Sequence, residues 1–590
     1  MSEVVNQAEV ISVRPNKIVV QVTDLNDFKV ADETLKVGSY IKILNNDDAI
    51  LIAIIENFSI GFDKNNERIY LIEALPLGVL KDGAFIRGGD TIAIPPRHVE
   101  PATLEDIKSI YQCIDEDRVL KFCTLSTNKE VSIPVDGNKF FNKHIAILGS
   151  TGSGKSHTLS RVLQTAISEK SGNFNLNNSH IIIFDIHSEY KSAFPNANFL
   201  DIKSLDLPFW LLNSDELEEI LLDTGERDNY NQSSVFRKLV TLNKKKHNPA
   251  VDNIFYDTPI RFDLNEVVNA LYNLKCETKN SKNSDFYMIN DGSYSIKPDG
   301  GVELDSGIYF SSEDDRINYY FLDKYQFFPT KAQHINKGLY AEGTLDKFYN
   351  RIVEKIQQDR LDFMFADELK SIEFIDVLKN ILGYKDNSNS NITIIDLSDV
   401  PFEVLTITVS VISRLIFDYG YFYKRYRFEN NPYEKINNDV PILMVYEEAH
   451  KYVPNSELTK FRASKIAIER IAKEGRKYGI TLMLSSQRPS EISETIFSQC
   501  NNFISMRLTN PVDQNYVRKL LPDSLGGIID ILPSLHQGDA LLVGDSIVLP
   551  SIVTIDRCDP EPSSNDIPYW NLWKEEWKEV EFGAICQKWK

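Results

Sequence analysis

No run of this chain approaches the ~18 unbroken apolar residues that cross a bilayer, and no early stretch combines the basic, apolar and small-residue segments of a secretory leader. The protein is therefore expected in the cytoplasm, without a membrane anchor. Cysteine is scarce as well. The six cysteines, Cys113, Cys123, Cys276, Cys500, Cys558 and Cys586, are scattered without a CxxC pair or a Cys/His cluster. That spacing argues against a disulfide framework and a zinc site, and leaves reduced, mostly structural thiols. Positive charge is in deficit, since 65 Lys and Arg face 85 Asp and Glu for a net charge of -20. So acidic a composition argues against a simple nucleic-acid coat, because neutralising phosphates takes basic groups; a locally basic channel stays open.

Apolar residues make up 42% of the chain and charged residues 25%, a balance that supports a sizeable core. At ~150 residues per domain, the length implies two to four domains. The most informative stretch is Gly149, Ser150, Thr151, Gly152, Ser153, Gly154, Lys155, Ser156, which fits the phosphate-loop pattern GxxxxGKS/T with an extra internal glycine. An apolar strand, His144 to Leu148, precedes it, and Leu159, Val162, Leu163, Ala166 and Ile167 recur after it at helical spacing. Strand, loop and helix agree on a nucleotide site. The glycines let backbone N–H groups and the helix start, as far as His157, meet phosphates. Lys155 reaches the outer phosphates, and the Ser156 hydroxyl can ligate magnesium. ATP and Mg2+ are the expected ligands, although the loop does not say what hydrolysis drives.

Residues 1–135 read as a small β-barrel. Strands are expected at Glu9–Val13, Lys17–Val22, Tyr40–Leu44, Ala49–Ile55, Arg68–Ala74 and Thr91–Ile94, punctuated by turns such as Arg14-Pro15-Asn16, Asn45-Asn46-Asp47-Asp48 and Gly88-Gly89-Asp90. No clear interleaving of basic and aromatic residues marks this region, so an assembly scaffold is a plainer reading than an oligonucleotide binder. An α/β core follows over 136–203. Its strand His180–Phe184 ends in Asp185-Ile186-His187-Ser188-Glu189-Tyr190, which places polar groups at a strand's carboxyl end, where α/β sheets bind ligands. Asp185 and Glu189 are candidates for the site, or for capping the loop that follows. Over 204–390 the parallel-sheet signature lapses into a largely helical insertion, with helices expected at Leu345–Gln358 and Ile372–Leu382. Its run Asn243-Lys244-Lys245-Lys246-His247 reads as a solvated loop or a DNA contact.

The core returns over 391–558. After a strand at Asn391–Ser398 and an amphipathic helix, Phe402–Tyr426, a buried strand, Ile442–Tyr446, delivers Glu447-Glu448-Ala449-His450. Paired carboxylates at a strand end suit a division of labour in which Glu447 holds hydrated magnesium and Glu448 takes a proton from the attacking water. A strand one residue shorter would swap them. Between Lys460 and Lys477, Lys460, Arg462, Lys465, Arg470, Lys473, Arg476 and Lys477 stand against only Glu469 and Glu474, a basic patch able to face DNA or a neighbouring nucleotide. Strands near Ala540–Val543 and Ile552–Ile555 close the core. In the tail, 559–590, Trp570, Trp573 and Trp577 fall on one helical face, a stripe suited to packing on the core or an adjacent subunit.

Four stretches, Phe141–Ser156, Tyr446–Pro454, Ala472–Gly479 and Ser485–Pro489, together resemble the HerA-like ATPases, relatives of the FtsK DNA pumps, and stand in that family's order. The resemblance is strong over the core, weak over the barrel and slight over the insertion. It implies a RecA-like P-loop core, an N-terminal HerA-type barrel, a ring of six subunits, ATP hydrolysis at their interfaces and duplex DNA pumped through the centre. By the same resemblance Arg476 matches an arginine finger entering the neighbour's site, a group worth about a thousandfold or more in related hydrolases. Gln487 matches a polar sensor of the γ-phosphate, and Lys143 stands where relatives often carry arginine, as a second cationic contact. Asp185 and the Glu189-Tyr190 pair match the family's aspartate and Glu-Tyr, with Ser188 replacing a common glycine. The implied function is a double-stranded DNA translocase or helicase working with a separate effector: a nuclease, as with archaeal relatives, or a sirtuin-like NADase in antiviral defence. No nuclease or NADase motif is evident in the chain itself. The competing expectation is an ATP-regulated scaffold that activates an effector without moving along DNA. A conjugation-type coupling ATPase fits less well without a membrane anchor.

Overall fold

The computed structural model describes residues 8–588 apart from 15–16, 26–27, 29–34, 45–48, 64–65, 82–83, 89–97, 112–113, 222–228, 299–300, 331–333, 386–387, 434–437, 456–461, 522–525 and 565–566. Alternating apolar runs build a first sheet in the order β1 (Ala8–Arg14), β2 (Lys17–Val22), β5 (Arg68–Lys81), β4 (Ile50–Phe62), β3 (Tyr40–Leu44) and β7 (Val99–Pro101), with β6 (Ala84–Arg87) beside β5. Its pairings are antiparallel, and the two ends of the path meet at a bridge between Glu9 and His98. Val10, Val20, Val22, Ile41, Ile43 and Ile72 fill the space enclosed, as a period of two requires. β4 and β5 run well beyond the expected Ala49–Ile55 and Arg68–Ala74. Pro76, which reads as the end of a strand in sequence, sits opposite Ala53 beside a register shift between Ile52 and Ala53, and the bulge accommodates its missing N–H. The expected strand Thr91–Ile94 and parts of the three expected turns lie outside the described residues.

Residues 119–200 supply β8 (Val119–Leu120), β9 (Cys123–Leu125), β10 (Asn128–Ser132), β11 (Val135–Asp136), β12 (His144–Leu148), β13 (His180–Asp185) and β14 (Asn198–Leu200). Further on come the short β15 (Thr278–Asn280), β16 (Phe286–Tyr287), β17 (Ile308–Tyr309) and β18 (Ile335–Lys337), then β19 (Ile392–Asp396), β20 (Ile442–Tyr446), β21 (Ile480–Ser486), β22 (Cys500–Met506), β23 (Asp539–Gly544) and β24 (Ser551–Ile555). Among the described residues one eleven-stranded sheet has the order β10-β9-β24-β23-β22-β12-β21-β20-β13-β19-β14. From β22 to β14 it is parallel. Its central strands are mainly apolar and buried at every position of β12, β19 and β20, as a parallel sheet covered on both faces demands. β14 and β19, which flank residues 204–390 in sequence, are hydrogen-bonded neighbours, so that segment leaves and re-enters the sheet at one edge.

β9 and β10 lie before residue 135 yet belong to this second sheet, through Thr124 opposite Thr554. A three-residue strand carries too little pattern to reveal which sheet it joins. The two sheets meet at Tyr40 and Tyr111, whose hydroxyls lie 3.1 and 2.8 Å from Ser551 Oγ.

The segment 204–390 carries helices including Leu264–Cys276, Asp346–Ile356 and Phe374–Ile381, together with a small antiparallel sheet, β17-β16-β15-β18. Its lysine run is helical rather than a loop, with Lys245, Lys246 and His247 exposed. It ends the helix Asn229–His247; Lys244 is fully buried and donates to the carbonyl of Thr258 at 2.7 Å, while Lys246 pairs with Glu266 at 2.9 Å. The tail also departs from expectation. The helix that was to align three tryptophans stops at Leu572, and Trp570, Trp573 and Trp577 are 68%, 73% and 93% exposed. Among the described residues no helix is long and apolar enough to cross a membrane.

Candidate nucleotide site

β12 ends at Leu148, and the chain turns through residues 149–154 into the helix Lys155–Ser168. Three glycines are required by this geometry, Gly152 among them with a φ of +72°. A Cβ on Gly149 would lie 2.5 Å from Ser153 Oγ, and Gly154 has a φ of +103°, which other residues rarely adopt. Ser150 N donates to Arg507 O at 2.8 Å and Gly538 N to Ser153 O at 3.1 Å, fixing the loop against the chain around β22 and β23. Helical bonding starts only with Thr158 N on Gly154 O, so Lys155, Ser156 and His157 present N–H groups that a phosphate can take up. They open into a cavity of about 530 Å3 lined also by Thr151, Gly152, Glu447, Glu448 and Gln487, a size within the ~300–1,000 Å3 of small-molecule sites. Burial lowers the Lys155 ammonium pKa, against the opposing pull of Glu448, Glu447 and Glu189.

Phe184 pairs with Tyr446 across β13 and β20, so the residues that follow these strands emerge side by side at the cavity. Asp185 accepts from the N–H groups of His187, Glu189 and Tyr190 at 3.3, 3.1 and 2.9 Å and so caps the loop. Glu189 turns toward the phosphate loop and accepts from Ser156 Oγ at 2.8 Å. Ser188 between them has a φ of +56°, the left-handed conformation that glycine favours, and its hydroxyl donates to Asp396 Oδ2 at 2.8 Å. Serine thus keeps a glycine-like backbone and adds a bond.

Glu447 is buried, with Oε2 accepting from Ile186 N at 3.2 Å. Burial, reinforced by Asp185, Glu189 and Glu448, pushes its carboxyl well above the usual range, and burial raises Asp185 likewise. A divalent cation relieves such crowding of carboxylates. The residues fit Mg2+: the Ser156 hydroxyl and Glu447 offer hard oxygens, and magnesium characteristically keeps water and phosphate for its remaining positions. Accordingly it needs no cage of three or more His, Cys, Asp or Glu, and none occurs among the described residues.

Glu448 is buried with a φ of +47°, a conformation that costs a non-glycine residue ~1–3 kcal/mol. Its Oε2 receives no hydrogen bond among the described residues, although His450 Nδ1 is 3.2 Å away and also 3.2 Å from Ser486 Oγ. Next in the chain, Gln487 accepts from Thr151 Oγ1 at 2.6 Å, joining the end of β21 to the phosphate loop. The arrangement therefore offers phosphate donors, a cation site and, opposite them, an unsatisfied carboxylate oxygen able to polarise water.

Residues 120–416 match the family described as Helicase HerA, central domain. The chain belongs to the HerA helicase family. It is similar to the DNA double-strand break repair helicase HerA of Saccharolobus solfataricus, at 24% identity over 582 residues and 95% of each chain. A probable helicase of Methanocaldococcus jannaschii is 24% identical over 579 residues, 94% of this chain and 92% of that one. Among solved structures, VirB4 of Thermoanaerobacter pseudethanolicus superposes with a TM-score of 0.43 at 14% identity, over 77% of this chain and 98% of that one. Family and phosphate loop together make this HerA protein a P-loop ATPase.

The fold does not gather every expected residue of the HerA site. Lys143 precedes β12, at the opposite end from the phosphate loop, ~17 Å along five extended residues, and it pairs with Asp545. It therefore cannot contact phosphates held by its own loop. Arg476 is likewise absent from the cavity lining. It lies in the turn Gly475–Tyr478 ahead of β21, exposed. The basic patch around it is partly neutralised, since Arg470 pairs with Asp418 at 3.5 Å and Lys473 with Glu469 at 3.2 Å. Lys460 is outside the described residues.

Participants that the sequence does not single out are Asp396, the His450 contact, Gln537, and the C-terminal residues Ser563, Ser564, Ile567 and Tyr569, the last five of which line the cavity. Asp396 had a signal, because it ends a buried strand as Asp185 does. The C-terminal residues had none, since only tertiary folding brings them there.

Proposed function

We propose that this HerA-family ATPase is a homo-hexameric cytoplasmic ring motor that translocates double-stranded DNA and works with a separate effector, a nuclease or a sirtuin-like NADase, in antiviral defence. The observation that supports the ring is the place of Arg476, exposed and outside the lining of a cavity in which no arginine occurs among the described residues. A finger reaching a second copy supplies the missing cation at the γ-phosphate. In each site Lys155 and the loop amides hold the outer phosphates, Ser156 and Glu447 hold Mg2+, Glu448 accepts the water's proton and Gln487 senses the γ-phosphate. Bound Mg2+ supplies charge neutralisation on the phosphates. The N-terminal barrel carries the effector, and the exposed aromatic tail packs on the neighbouring subunit.

Duplex DNA as the track is supported by the relatives' description as DNA double-strand break repair helicases. One property favours the scaffold reading instead, the net charge of -20, which weakens non-specific attraction to phosphates. Steady-state ATPase measured with and without duplex DNA across a salt series separates the two. A motor shows stimulation by duplex and binding that weakens steeply with salt as phosphate contacts are lost. Absence of both at low salt, with the effector present, overturns translocation and leaves the scaffold.

A further inference from the structure

The cavity has more wall than its phosphate-binding residues account for. The loop residues, Lys155, Glu447, Glu448 and Gln487 account for part of the lining; the rest includes Gln537 and, from the C-terminal segment, Ser563, Ser564, Ile567 and Tyr569. That segment is fastened to the core by its backbone. Asp559 N donates to Gln164 Oε1 at 3.0 Å and Gln164 Nε2 to Pro560 O at 2.7 Å. Ser192 Oγ donates to Glu561 O at 2.8 Å, and Ser563 N to Glu189 O at 2.9 Å. The last anchor falls on the residue whose carboxylate accepts from Ser156 Oγ at 2.8 Å. Tyr569 is the one Phe, Tyr or Trp among the described lining residues. It is 59% exposed and braced from behind by Trp573, edge to face at 5.8 Å between ring centroids.

We propose that Tyr569 and Ile567 form the platform for the base of the bound nucleotide, making the C-terminal segment a ligand-contacting part of the ATPase site. A base needs a flat apolar surface for its π-face and polar groups at its edge. The Tyr569 ring and the Ile567 side chain offer the first, and the Gln537 amide and the Ser564 hydroxyl offer the second. With the phosphates fixed by the loop, the ribose and base extend toward this wall. Because Ser563 and Ser156 both bond Glu189, the segment that contacts the base is tied to the hydroxyl that faces the phosphates. The inference rests on the phosphate-loop reading of the same cavity.

Two measurements on the full chain test it. In steady-state kinetics Tyr569→Ala should raise KM for ATP about tenfold, the scale of one base–aromatic stack, Tyr569→Phe should restore it, and the inhibition constant of inorganic tripolyphosphate, which has no base, should be the same in all three proteins. An unchanged KM for ATP in Tyr569→Ala, or an equal weakening of ATP and tripolyphosphate, overturns the proposal. Lys155→Ala serves as the control that weakens both ligands, so failure of the phosphate-loop reading is recognised separately. If Tyr569→Ala does not assemble like the wild type, photolabelling of the wild-type protein with 8-azido-ATP decides. Label on the peptide spanning residues 563–573, displaced by ATP and not by tripolyphosphate, supports the platform; label confined to other peptides overturns it.

Discussion

At the scale of single residues, the site is built from groups held in costly states. Glu447 and Asp185 are buried carboxyls pushed up by that burial, and Glu448 adopts a left-handed backbone. Lys155 is the cation at their centre, and its removal leaves the loop's shape to the glycines. Lys155→Ala should therefore drop ATP hydrolysis at least a hundredfold while far-UV circular dichroism and native mass stay as in the wild type; undiminished turnover by a homogeneous preparation would refute the site. His144 illustrates the opposite economy. It is fully buried at the start of β12, accepting from Leu482 N at Nδ1, 3.0 Å, with Nε2 2.8 Å from Ala472 O, so the neutral Nε2–H form satisfies both neighbours. Burial lowers its pKa from 6.5 to about 4. Between those values the unfolded chain binds the proton and the folded chain does not, so His144 makes stability fall as pH drops from 6.5 toward 4. Thermal midpoints should decline more steeply over that range in the wild type than in His144→Gln; equal slopes would contradict the assignment.

At the scale of elements, legibility followed pattern length. β12 and β20 stand at the limits expected from sequence, because a five-residue, mainly apolar run beside a phosphate loop or a carboxylate pair admits one interpretation. β4 and β5 extend about twice as far as expected; in β5 a proline accommodated by a bulge imitates a strand end. The strands β15 to β18 are two or three residues each, below what periodicity detects. Lys244 was misread because lysine is almost never fully buried unless paired, and its carbonyl partners lie 12 and 14 residues away. The candidate site is legible where one strand and the loop after it carry the chemistry, as at Lys155 and Glu447, and illegible where separate segments converge, as at Tyr569 and Gln537. The tail yields an element-scale prediction. Residues 567–588 leave Trp570, Trp573, Trp577 and Phe582 exposed, and apolar groups so placed mark an interaction surface. Deleting residues 567–590 should shift native mass from rings to smaller species while the thermal midpoint of the remaining chain moves by no more than a few degrees. A truncated protein that assembles as fully as the wild type would contradict the tail's role at the subunit contact.

At the scale of the whole molecule, the central claim is that one chain holds an incomplete ATPase site. Glu448 belongs to the cavity of its own phosphate loop, whereas Arg476 is absent from that cavity's lining and exposed on the surface, so the proposed ring would divide each site between neighbours. Glu448→Gln and Arg476→Ala should each bring hydrolysis close to background in rings of a single type. The decisive measurement is the steady-state ATPase rate of rings mixed from these two variants, after co-purification through two different tags has verified subunit exchange and with a wild-type dilution series to show how many consecutive intact sites are required. Where an Arg476→Ala subunit receives the finger of a Glu448→Gln neighbour, every catalytic group is present, and the account predicts partial recovery of activity. Verified mixed rings that stay as inactive as either parent, under conditions where the dilution series shows isolated intact sites to be active, would contradict it.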